Sequence, residues 1–282
     1  LYSGGVVDIL MSGDQVLSRV IFRLSAGFLV GVLTLLAALL YLSDYYTGEQ
    51  QRLAAAGDVA GAMEASRRAV GLDPFDTDAL QAQSYLWRQQ KKHDRAILAL
   101  KEAIERDPNN YLPYLTLANL RLGMRDLDAA IEGYRDVLEL NPNAVSARSS
   151  LARTLARQGK LAEAKVEYEA LEEMKEITYQ DRYDLGRIQV RTGEPQEGVK
   201  NIRRARRMAA DELQRSPTPA GGRQLLVSMD LATADAFVVQ GRYGQARRIL
   251  AQSPSEQAPG LLELLNLDPA AYREQVINSG IY

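Results

Sequence analysis

The apolar positions of the chain follow two patterns. From Leu24 to Leu42 the chain reads LSAGFLVGVLTLLAALLYL, 19 residues without a charge. At 1.5 Å of rise per residue, a helix of that length spans about 28 Å, close to the hydrocarbon thickness of a bilayer. Downstream the apolar residues recur instead of running on. Ala62, Ala96, Ala130 and Ala164 stand 34 residues apart, and so do Ser84, Ala118, Ala152 and Gly186. A third row reads Ala69, Ala103, Val137, Leu171 and Ala205, and Pro74, Pro108 and Pro142 keep the same step. Four rows in phase predict a two-helix unit repeated in tandem. Small residues sit where backbones approach, larger ones fill between turns, and proline falls past the second helix, where a missing N–H costs little.

The flanks of the 24–42 run predict a transmembrane helix. Arg19 and Arg23 precede it, and Asp44 and Glu49 follow. The positive-inside rule then places the N-terminus in the cytoplasm and the repeats outside it. Tyr41, Tyr45 and Tyr46 cluster at the exit as an interfacial aromatic belt. Gly27 and Gly31 form a G-x-x-x-G, a place for another helix to pack closely. Before the span, residues 1–23 carry a short apolar patch at Val6, Val7, Ile9, Leu10 and Met11. This segment reads either as an interfacial stretch lying on lipid or as a docking tail for a membrane partner. Asp14 is placed to cap a helix beginning near Gln15. The chain begins at Leu1 rather than methionine, which fits a processed chain or part of a longer one.

A 34-residue two-helix period resembles the tetratricopeptide repeat (TPR) family. The resemblance covers residues 43–256: a degenerate first unit at 43–76, then 77–110, 111–144, 145–178 and 179–212, an insertion at 213–226 holding SPTPAGG, and a sixth unit at 227–256. Residues 257–282 are expected to cap the open end. The implied fold is all-α, a right-handed superhelical solenoid of about six helix pairs behind one transmembrane helix. The layout is similar to single-pass membrane proteins with outward-facing repeats, which serve as assembly factors or scaffolds for membrane and envelope complexes. It is also similar to the repeat tail of some O-antigen-ligase-like membrane polymerases. Chaperone-binding family members carry a lysine–asparagine carboxylate clamp; here Leu115 and Asp184 stand at clamp places and the lysines are missing.

Composition removes several function classes. The formal net charge of −2 gives no global case for nucleic acid. The chain has no cysteine, so disulfides and thiolate chemistry lack their residues, and with one histidine, His93, a metal cluster and a Ser–His triad are poorly supported. His93 lies in KKHDR and reads as a solvent-facing turn residue. No phosphate loop or catalytic carboxylate pair is found. The chain is expected to be a non-catalytic scaffold with no cofactor and no metal, meeting protein partners through its repeats and lipid through residues 24–42.

The family resemblance puts the first helix of each unit on a concave groove. Gln81, Tyr85, Arg88, Leu115, Asn119, Leu122, Ser149, Arg153, Tyr183 and Arg187 are the residues expected there. Asn119, Arg153 and Arg187 are one period apart and are expected to form a polar ladder. That ladder is either a carboxylate-reading row or ordinary solvated polarity. Residues 182–207 hold eight basic and three acidic side chains. The basic patch at Arg203, Arg204, Arg206 and Arg207 either meets an anionic partner or pairs with Glu167, Glu169, Glu172, Glu173 and Glu176 on the preceding helix.

Overall fold

The computed structural model describes residues 4–73, 76–215 and 221–281, with side chains from Phe22 onward. Among the described residues every regular element is an α-helix, fourteen in all. They are α1 (Gly4–Ala55), α2 (Val59–Leu72), α3 (Thr77–Gln89), α4 (His93–Arg106), α5 (Tyr111–Gly123), α6 (Leu127–Leu140) and α7 (Val145–Arg157). Then follow α8 (Leu161–Glu173), α9 (Tyr179–Arg191), α10 (Pro195–Arg215), α11 (Gly221–Val239), α12 (Tyr243–Gln252), α13 (Ala258–Leu267) and α14 (Pro269–Asn278). The chain is thus an all-α array of TPR-type helix pairs. Contacts gather it into two compact units, residues 1–113 and 114–282.

The repeat period is written in the backbone as well as in the side chains. Gly57, Lys91, Arg125, Gly159 and Gly193 all have φ between 59° and 92°, each 34 residues after the last. Each sits in the turn between the two helices of a pair, where the chain must enter the left-handed region. Glycine does so freely; Lys91 and Arg125 do so against a steric cost. Short polar side chains start the helices. Asp58 accepts from the Gly61 N–H, Asp76 from those of Asp78 and Ala79, and Asp126 from that of Ala129. Thr178 and Asp181 form a reciprocal capping box at α9.

In the first unit, α1 packs on α2 and α3, and α3 packs on α4. In the second, each helix from α6 to α14 packs on the next. There α9 also touches α7 and α11, so these three first helices form an inner row. The alanine row is fully enclosed: Ala62, Ala96, Ala130 and Ala164 have no exposed surface. Gly198 stands where the next alanine is due. A Cβ on Gly198 would lie 2.7 Å from the Gly186 carbonyl oxygen, and one on Gly186 would lie 2.9 Å from that of Gly198. Helices α9 and α10 therefore cross closer than alanine permits.

Four expectations change. Helix α1 runs straight through Asp14, because no residue between the apolar patch and Gln15 breaks it, so no helix begins there. The SPTPAGG loop is shorter than its composition suggests, since Gly221 and Gly222 already belong to α11; its residues 216–220, like Pro74, lie outside the described residues. His93 is the first residue of α4 and half-buried rather than a solvent-facing turn residue, because α4 begins at the third residue of KKHDR. The C-terminal tail does more than close the end: α13 packs on α12, but α14 folds back onto α11 and α9.

Gly198→Ala forces its new methyl against the Gly186 carbonyl oxygen as well as the Val190 side chain. It is expected to destabilise the chain by about 1–3 kcal/mol, read as a lower urea midpoint with the helical circular dichroism retained.

Candidate protein-binding site

The polar groove residues of the second unit each have a partner inside the fold. Asn119 Oδ1 on α5 accepts from the Tyr134 hydroxyl of α6 at 2.7 Å. Arg153 on α7 reaches Asp181 of α9 at 3.4 Å, and Ser149 donates to the same carboxylate oxygen at 2.6 Å. Arg187 lies over the Tyr183 ring, 5.3 Å from its centroid, and 3.9 Å from Asp184. The Tyr183 hydroxyl donates to the Ser228 carbonyl of α11. Within the expected row, Asn119 and Arg153 are therefore helix-to-helix ties as well as surface, whereas Arg187 leans on Tyr183 and Asp184 of its own helix. Leu115 and Leu122 are half-buried on α5. In the first unit Gln81 donates to Asp78, and Arg88 lies over the half-exposed Tyr85 ring.

Asp181 holds this region together and is not among the residues the repeat pattern points to. It is 1% exposed, with one oxygen taken by Ser149 and Arg153 and the other by Thr178. The capping spacing Thr178–Asp181 is its readable signal. Arg182 is nearly as buried and bridges Glu172 of α8 to Asn201 of α10, at 2.6 and 2.9 Å. Nothing in the local sequence separates it from its solvated neighbours.

The basic patch divides. Arg204 pairs with Glu172 at 3.6 Å. Arg206 makes a two-point contact with Asp230, which belongs to the following helix α11 and not to the preceding one. Arg203 lies over the Phe237 ring, and Arg207 is exposed. Among the expected glutamates, Glu167 pairs with Arg148, and Glu169 sits near Lys165, which also contacts Glu194. Preceding-helix pairing therefore accounts for one arginine of the four.

An open cleft of about 180 Å³ remains on the inner row of the second unit, between α9, α10 and α11. Tyr183, Arg187 and Arg191 line it from α9, Asp235 and Leu231 from α11, and Gln257 from the loop before α13. Its walls combine apolar surface with a carboxylate and two arginines. Burial pushes the Asp235 carboxyl above the usual aspartate range, opposed by the Tyr272 hydroxyl and by Arg191 and Arg187. Burial likewise raises the Tyr183 phenol, and burial with the nearby Arg187 lowers Arg191. Among the described residues no cluster of His, Cys, Asp and Glu has the composition of a metal site.

Comparison with known proteins agrees with this architecture. Tetratricopeptide-repeat family models match residues 87–133 and 115–174. Residues 87–174 therefore carry tetratricopeptide repeats. Over 78 residues it is 36% identical to the tetratricopeptide repeat and J domain-containing co-chaperone DNJ1 of Cryptococcus neoformans, a match covering 28% of this chain. The chain spans about 15% of the length of that curated relative. The crystal structure of MamA superposes with a TM-score of 0.53 at 20% identity, over 58% of this chain and 96% of that one. Pseudomonas aeruginosa PilF superposes with a TM-score of 0.56 at 14% identity, over 84% and 97%. At these identities both structures speak to fold alone. None of these matches describes a catalytic family.

Two outcomes follow from the polar core. Asp181→Ala removes the acceptor of Ser149, Arg153 and Thr178, and is expected to cost roughly 1.5–3 kcal/mol in urea unfolding. Asp235 carries a pH signature. A carboxyl whose folded pKa is raised favours the protonated fold. Its contribution is complete below the ordinary aspartate value near 4 and is lost as pH rises through the raised folded value. Asp235→Asn is expected to flatten that part of the stability profile, measured as urea midpoints between about pH 4 and about pH 7.

Proposed function

We propose that the chain is a membrane-tethered TPR scaffold, an accessory or assembly subunit of a membrane or envelope complex, which holds a protein partner on its inner helix row. One observation carries this reading. The single helix α1 is uncharged across residues 24–42 and exposed there except at the half-buried Leu39, and it is packed into the first repeat from residue 43 onward. Phe22 and Phe28 are 73% and 76% exposed, and leucines and valines on every face between them and Leu42 lie open. A helix apolar all round needs an apolar surrounding. One residue further on, Ser43 is buried and donates to the Ala69 carbonyl of α2 at 3.1 Å. Ser43 and Thr47 also approach the Asp76 carboxylate at the start of α3. No linker separates the span from the repeat, which argues for an anchor over a removable signal.

Gly27 and Gly31 are open on the span, with nothing within 4 Å of the place a methyl group would take on either, and so offer a face for another membrane helix. Residues 1–23 would then lie at or near the opposite membrane surface, although their side chains lie outside the described residues up to position 21. The arginines Arg19 and Arg23 favour a cytoplasmic N-terminus with the repeats outside. The match to DNJ1 supports a second reading, a co-chaperone-like adaptor; the missing clamp lysines weigh against chaperone-tail binding.

Carbonate extraction is expected to leave the chain in the membrane fraction, and its release would refute the tether. With cysteine introduced as Ser253→Cys, an impermeant thiol reagent is expected to label intact cells; labelling only after lysis would invert the topology.

A further inference from the structure

The tail helix α14 occupies the same inner row that the scaffold reading assigns to a partner. It packs on α9 and α11, while α13 alone closes the end of the stack against α12. Only two side chains of α14, Tyr272 and Val276, are buried, and Ile281 is buried just beyond it. Tyr272 and Val276 join the apolar cluster that holds Val190, Ile202 and Phe237. Two polar ties complete the contact. The Tyr272 hydroxyl donates to Asp235 at 2.8 Å, and Arg191 donates to the Ser279 carbonyl and hydroxyl at 2.9 and 2.8 Å.

Asp235 and Arg191 are also walls of the open cleft. Anything entering that cleft therefore meets the two groups by which α14 is held. The helix is a discrete element with its own cap. Asp268 caps it through the Ala270 and Ala271 N–H groups, Pro269 starts it, and Asp268 alone separates it from α13. A ten-residue helix resting on so few buried side chains belongs to the low-stability end of a structure.

We infer that the α9–α11 face is a docking site for a helical segment of a partner protein, and that α14 fills it in cis. The occupant it fits is an amphipathic helix with an aromatic hydroxyl one turn before an aliphatic side chain, as Tyr272 precedes Val276. A carbonyl or carboxylate near the C-terminal end of that helix would face Arg191, as Ser279 does. The inference rests on the scaffold reading only in taking the inner row as the binding face; it stands or falls separately from the membrane tether.

The test uses the full chain in detergent and, as probe, a fluorescent synthetic peptide of residues 268–281. A Tyr272→Ala, Val276→Ala chain, its own latch weakened, is expected to bind the peptide at least tenfold more tightly than the unaltered chain. Adding Arg191→Ala to that variant should reverse the gain. By hydrogen exchange, α14 amides in the unaltered chain should exchange at least a hundredfold faster than those of α9 and α11. Equal peptide binding by the two chains, or equal protection of α14 and α9, would overturn the inference. So would loss of helicity in α9–α11 when the latch is weakened, because α14 would then be core.

Discussion

The close approach of paired helices at small residues is the constraint on which the rest of the structure depends. Two helices can cross at short range only where neither side presents bulk, and the chain meets this need once every 34 residues with Ala62, Ala96, Ala130 and Ala164. At the α9–α10 crossing even alanine is too large, and Gly186 faces Gly198 backbone to backbone. The left-handed turn residue of each pair, from Gly57 to Gly193, keeps the same step because each turn must deliver the second helix to the same crossing. Where glycine is absent, at Lys91 and Arg125, the crossing still dictates the backbone and the side chain bears the strain.

Polar chemistry is subordinate to that packing. In the second unit the buried carboxylate Asp181 ties α7 to α9, Arg182 ties α8 to α10 through Glu172 and Asn201, and Asp235 ties α11 to α14. Each such group loses hydration on burial and is kept by partners from neighbouring helices. The inner row thus has a dual character. Its arginines and carboxylates tie neighbouring helices together, and the same kinds of group, where the row stays open beside Arg187, Arg191 and Asp235, form the walls of a cleft.

The fold is legible in the sequence because a repeat announces itself: the alanine and proline rows carry both the helix-pair architecture and its period. The site is less legible. The in-phase Asn119, Arg153 and Arg187 are visible as a row, but a 34-residue step cannot tell whether an arginine faces solvent or a carboxylate on the next helix. Asp181 settles that for Arg153, and it lies one repeat away in sequence. The tail reads as a simple cap since LLELL has the composition of one. The return of α14 depends on Tyr272 meeting Asp235 of α11 across 37 residues and on Arg191 of α9 meeting Ser279 across 88, pairings outside the repeat period. Residues 213–226 break the register for the same reason: α10 and α11 are longer than the other repeat helices, and their extra turns carry no periodic mark.

The proposed tether requires one uninterrupted helix to leave the bilayer and become the first helix of the repeat array. Nitroxide scanning of positions 30–55 in the full chain reconstituted into lipid vesicles tests it most directly. The account predicts that labels before Ser43 collide with oxygen in the lipid phase on every face of the helix. From Ser43 on, mobility and water access should alternate with a helical period as α2 and α3 cover one side. Access to a water-soluble nickel reagent throughout residues 30–42, or a one-sided burial pattern already present there, would contradict it.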